Sequence, residues 1–118
     1  MSDFPNDIQL TAEERVGLCF VGVREAGLAV VYVYENGRNT GHLEASVFAQ
    51  TKSPTGFEWG YDGSGPSALA HSIIVRCTAD EVAADQLWMT FRERVVSLFP
   101  EEGFRLSETS LRQLLGIG

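Results

Sequence analysis

Leu28-Ala29-Val30-Val31-Tyr32-Val33-Tyr34-Glu35-Asn36-Gly37-Arg38 carries the architecture of this chain. The run from Leu28 to Tyr34 is apolar, β-branched and aromatic throughout, the composition of a strand lying centrally in its sheet. Asn36-Gly37 follows at once. Asn-Gly between strand-like segments fits a type I′ turn, in which both central residues need positive φ, so the chain folds back as a hairpin. Upstream, Val16 to Val23 reads as a strand apart from its glycines, and Arg24-Glu25-Ala26-Gly27 as the loop joining it to the first run. Downstream, a third strand is expected around Thr40 to Val47. Successive hairpins make the sheet antiparallel, with one face left for helices to cover.

The rest of the chain turns from strands to helices. Phe48 to Gly56 reads as a polar connection ending in the loop Lys52–Gly56. Phe57-Glu58-Trp59-Gly60-Tyr61 reads as a short strand, with Phe57, Trp59 and Tyr61 on one face and Glu58 on the other. A helix over Ser67–Arg76 is expected, with Pro66 at its first position and Leu69, Ile73 and Cys77 on its apolar face. A second helix is expected to start at the capping box Thr78-Ala79-Asp80-Glu81. Its stripe is Ala84, Leu87, Phe91, Val95 and Leu98, and Pro100 and Gly103 stop it. Phe104-Arg105-Leu106 reads as an edge strand, and Ser107 as the cap of a short helix carrying Leu111, Leu114 and Leu115. Strands first and helices later predict an α+β fold. The expectation is a single domain over 15–118, a small antiparallel sheet of three to five strands packed by two or three helices. An acidic arm, 1–14, precedes it, either loose or opened by a Thr11-capped turn with Glu14 as reciprocal partner.

At 118 residues the chain has room for one domain and none for a separate cofactor domain. Sixteen acidic against nine basic side chains give a net charge of −7. That balance argues against nonspecific binding to nucleic acid or to anionic membranes. Neither the polar first ten residues nor the seven-residue apolar run resembles a targeting or spanning segment, so a cytoplasmic protein is expected. Cys19 and Cys77 read as buried free thiols. Cys19, His42, His71 and Cys77 have no metal-ligand spacing, so no metal or cofactor is expected. The possible nucleophiles Cys19, Cys77 and Ser64 have no base nearby in sequence. His71, four residues past Ser67, reads as a solvated or capping side chain. The chain is therefore read as a non-enzyme with no catalytic residues.

The candidate site lies in Glu58, Trp59, Tyr61, Asp62, Gly63, Ser64 and Gly65. Strand, glycine-rich turn and helix N-terminus in that order can cradle an anion on unpaired N–H groups. Against this, Pro66 removes one donor, Asp62 adds a negative charge, and neither nucleotide-binding fingerprint is present. Two readings stand: a ligand or partner site, or a tight connection whose glycines permit close packing. Trp59 and Tyr61 likewise read as a stacking platform or as core. Glu58, if buried, needs a partner such as Arg76 or Arg105.

The segment from Ser53 through Gly56-Phe57-Glu58-Trp59-Gly60-Tyr61-Asp62-Gly63-Ser64-Gly65-Pro66, with Leu69-Ala70 and Ile73-Ile74 beyond it, resembles the family known as domain of unknown function 6166. Its hallmark there is GFEWGYGGSGP followed by an aliphatic helix, and Asp62 stands where the family usually has glycine. The resemblance implies a compact domain from bacteria, archaea and their phages or plasmids, with no known activity. It also implies an accessory role, such as inhibition of a host defence system. The sequence-level expectation is thus a non-enzymatic binding protein that occupies a partner protein's basic surface, with homo-oligomerisation left open. The alternative is a small-ligand or nucleotide-binding module using the Gly60–Pro66 loop.

Overall fold

The computed structural model describes residues 8–117. Eight elements follow one another: β1 (Leu18–Glu25), β2 (Leu28–Glu35), β3 (Arg38–His42), α1 (Val47–Lys52), α2 (Ser64–Thr78), α3 (Glu81–Arg94), β4 (Phe104–Ser107) and α4 (Glu108–Leu115). The four strands form one antiparallel sheet in the order β3-β2-β1-β4. The α+β expectation holds. Both hairpins close through two-residue turns with positive φ at each position: Ala26 at 54° and Gly27 at 84°, then Asn36 at 51° and Gly37 at 88°. Those are type I′ conformations, whose twist matches that of the flanking strands.

Alternation along β1 and β2 divides their side chains between two layers. Phe20, Val31 and Val33 face the helices, in a core with Trp59, Leu69, Ile73, Ile74, Phe104 and Leu111. Cys19, Val21 and Tyr34 face the other way and are covered by Leu10, with Ile8 packed beside it. Thr11 and Glu14 cap each other's backbone there, opening a 3-10 turn over Glu13–Arg15. Arg105 on the edge strand β4 bonds both Glu14 and the Gln9 carbonyl, anchoring that turn to the sheet. The first seven residues of the acidic arm lie outside the described residues.

α2 is the central helix. All ten residues from Gly65 to Ile74 are buried. Gly65, Ser67, Ala68, Ala70 and Ser72 keep it narrow, so α1 and α3 both pack closely on it and meet each other where the Phe48 and Trp88 rings lie 5.0 Å apart.

Several elements differ from the sequence expectation. Phe57–Tyr61 forms no strand. Trp59 is driven into the core instead, and Gly60, at φ 90°, turns the chain and donates its N–H to Val96 C=O at 3.1 Å. The stretch expected to be a polar loop contains α1, because Ser46 caps it by accepting the Ala49 N–H. α2 starts at Ser64, three residues early, leaving Pro66 in its first turn, where no intrahelical donor is lost. Asp80, not Thr78, caps α3 through the Val82 and Ala83 N–H groups. α3 stops at Arg94, and a 3-10 turn over Val96–Leu98 leaves Leu98 73% exposed, off the apolar stripe.

Candidate functional site

The hallmark segment crosses the end of the sheet where β1 turns into β2 and then enters α2. Gly65 is the contact point. A Cβ there would stand 2.7 Å from Glu58 Cβ and 3.2 Å from Glu58 N, so only glycine lets the 57–61 segment lie against the start of α2. Gly63 has a parallel role, since a Cβ on it would meet the Tyr61 ring at 2.7 Å. The ring is thereby seated on the helix entrance, while Tyr61 remains 51% exposed.

Beside this segment lie two clefts that share Gly27, Glu58 and Tyr61. The first, about 310 Å³, is also lined by Leu28, Ser64 and Gly65. The second, about 480 Å³, is also lined by Arg24, Trp59 and Glu101. Of the seven nominated residues, Glu58, Tyr61, Ser64 and Gly65 therefore converge on one cleft. Trp59, only 1% exposed, lies beneath as a core residue, its Nε1–H donating to Glu101 C=O at 3.2 Å. Asp62 turns toward α3 and pairs with Arg92 Nε at 2.9 Å.

Glu58 is half-buried and paired, but with Arg24 at 2.8 Å rather than with Arg76 or Arg105. The Arg24 guanidinium lies 4.4 Å from the Trp59 ring centroid and also donates to Glu101 C=O. The guanidinium thus joins carboxylate and indole at the wall of the second cleft, bonded to the one and lying over the other. Arg76 makes a long contact with Glu35 instead.

A second constellation was not legible in the sequence. His71 is 1% exposed, so of the two expected readings, solvated or capping, the solvated one fails. Its Nδ1 lies 2.8 Å from Ser46 Oγ and its Nε2 2.8 Å from Asp85 Oδ1. Phe48 stacks on the ring at 4.4 Å. Residues on three helices are joined through this one imidazole. Ser46 Oγ already accepts the Ala49 N–H and faces Ser72 Oγ at 3.4 Å, so this serine is committed to holding α1 on α2. The sequence signal for the cluster was the Ser46 cap, which α1 makes visible only in retrospect.

Both thiols sit where thiolate is disfavoured. Burial pushes Cys19 up to about 11 and raises Cys77. Among the described residues, no three histidine, cysteine or carboxylate side chains gather as a metal site. No helix there is long and apolar enough to cross a membrane.

The family model described as "Family of unknown function (DUF6166)" matches residues 20–116. The chain belongs to this family. The matched span runs from β1 through α4 and includes the whole cleft. Comparison with curated proteins and with solved structures gave no match.

Proposed function

We propose that this family member is a non-enzymatic binding protein that acts by occupying a surface of a basic protein partner, with the Glu58–Tyr61 region as its contact. The observation that carries the reading is Tyr61. It is an aromatic ring half exposed to solvent, seated against the Gly63 backbone and placed at the junction of two clefts. An ordered aromatic loses little side-chain entropy on binding, which is why tyrosine is common among energetic hot spots. Exposed Leu28 at the adjacent rim adds apolar contact area, and the net charge of −7 steers a basic partner toward the protein. The mobile-element setting that the family resemblance implies makes a host defence component the partner class to test first.

Affinity capture from host lysate with the wild type, Tyr61→Ala and Glu58→Gln tests this, followed by calorimetry with the purified captured protein. One protein, bound directly by the wild type and at least about 30-fold more weakly by Tyr61→Ala at matched melting temperature, is the expected result. Equal binding by all three chains would overturn the reading.

The convergence of Glu58, Tyr61, Ser64 and Gly65 on a 310 Å³ cleft favours a second reading, a small-ligand site. A panel of mono-, di- and cyclic nucleotides, followed by calorimetry and thermal shift, separates the two. Saturable heat with one member supports the ligand site, and none across the panel removes it.

A further inference from the structure

β2 is longer than the strand beside it. Its ladder to β3 contains the pairs Tyr32↔His42, Tyr34↔Asn39 and Glu35↔Arg38. The next contact is the Leu43 N–H donating to Val31 C=O at 2.8 Å, after which the chain leaves for α1. Sheet order gives β2 no neighbours but β1 and β3. Among the described residues, no strand therefore flanks Leu28–Val30 on the β3 side.

The direction of the backbone groups at this open edge follows from the register. Glu25 and Leu28 close the two-residue turn and form a hydrogen-bonded pair, so Leu28, Val30 and Tyr32 direct their N–H and C=O groups at β1. Ala29, Val31 and Val33 direct theirs outward. The Leu43 bond to Val31 C=O and the Thr40 hydroxyl bond to Val33 C=O confirm this parity. Ala29 thus presents one donor and one acceptor past the end of β3.

These groups face a groove. A cleft of about 200 Å³ shares Ala29, Gly56 and Phe57 with the 310 Å³ cleft, which continues through Glu58 and Tyr61 into the 480 Å³ one. The three adjoining clefts, taken together as a channel, lead from the end of β3, past the open edge of β2, to the Arg24–Glu58 pair. Leu43 and Phe57 supply apolar walls at one end. The Arg24–Glu58 ion pair and Glu101 line the other.

We infer that the channel takes an extended peptide segment of the partner, which adds a strand to β2 at Ala29 and extends a basic side chain toward Glu58. An open strand edge is complemented by another backbone, and this mode of recognition draws affinity from main-chain bonds and specificity from alternate side-chain pockets. Glu58 and Glu101 against the single guanidinium of Arg24 leave that end with one surplus negative charge, and with the net charge of the chain this selects a basic side chain. The inference rests on the binding-protein reading and names the form of the ligand.

Panning a phage-displayed library of random linear dodecapeptides against the full chain tests it. Enriched peptides carrying a lysine or arginine next to an apolar-alternating stretch are expected. Replacing their amides one at a time by esters is expected to weaken binding at least tenfold at one position. Ala29→Pro deletes only an outward N–H, a change that edge positions accept, and is expected to weaken binding equally. If that variant fails to fold, the ester series decides alone, since it leaves the protein intact. No enrichment overturns the inference, as does tolerance of every ester. Peptides that lose affinity on Tyr61→Ala while tolerating Ala29→Pro and every ester overturn strand addition and leave the surface reading standing. A concentration-dependent dimer that Ala29→Pro dissolves would make a second copy the occupant, and would equally overturn it.

Discussion

Truncating Trp59 to alanine separates scaffold from surface within the hallmark segment. The ring is buried, meets Phe104 edge-on at 5.1 Å and 83°, and carries the Arg24 guanidinium on its face. Phe104 in turn stacks on Phe99 at 4.2 Å, so the lost ring is one side of a three-ring cluster. Removing a buried tryptophan costs about 3–5 kcal/mol. The upper half applies here, because the aromatic pair and the Nε1–H bond to Glu101 go with it. For a chain of this length, about 4 kcal/mol corresponds to a fall in melting temperature of roughly 12–20 °C. Tyr61→Ala, two positions on, removes a half-exposed ring and is expected to cost below about 1 kcal/mol. Urea and thermal unfolding of the two variants beside the wild type give the comparison. A cost under about 1.5 kcal/mol for Trp59→Ala, or equal costs for both, would refute the division of this segment into core and contact residues.

Three further outcomes follow from the same contacts. Glu108 accepts the Leu18 N–H at 2.9 Å and pairs with Arg112, and these hold its carboxyl below the ordinary value of 4.5. A depressed folded value means its stabilisation is present above the unfolded value and lost as pH falls through the folded one. Glu108→Gln should therefore lower the urea midpoint at pH 7, and by progressively less as pH falls below the ordinary carboxylate value; a loss that stays constant down the acid limb would contradict the assignment. His71→Ala should cost about 2–4 kcal/mol by opening a cavity and removing the contacts to Ser46, Phe48 and Asp85, with faster amide exchange in α1 and none gained in β4; uniform exchange across the chain would show that the imidazole does not hold α1. Cys19, buried and with its thiol pushed up to about 11, should resist alkylation at pH 8 until the chain unfolds; labelling at the rate of a free thiol would place it elsewhere.

The hairpins were legible because Asn36-Gly37 and Gly27 encode turn geometry locally. The helix faces of Leu69, Ile73 and Phe91 were legible because period is a local property. What misled was long-range. Phe57–Tyr61 has strand propensity, yet Trp59 gains more from the cluster with Phe104, some forty-five residues away, than from a ladder. Ser46 and His71 gave no joint signal, because their meeting depends on how α1 docks against α2. In the candidate site, Gly63 and Gly65 were read as a possible amide cradle, and in the structure they let Tyr61 and Glu58 approach the start of α2 closely. Glu58's partner, Arg24, lies across a hairpin whose reach no spacing rule specifies. Asp62 looked like an obstacle to an anion at the helix entrance, whereas its carboxylate points away to Arg92.

The central claim is that Tyr61 is a contact residue on a rigid scaffold. It is tested most directly by the dissociation constant of the purified captured partner for the wild type and for Tyr61→Ala, at matched melting temperatures. A hot-spot tyrosine is worth about 2 kcal/mol or more, so binding should weaken by at least about 30-fold. A change of less than twofold would contradict the account.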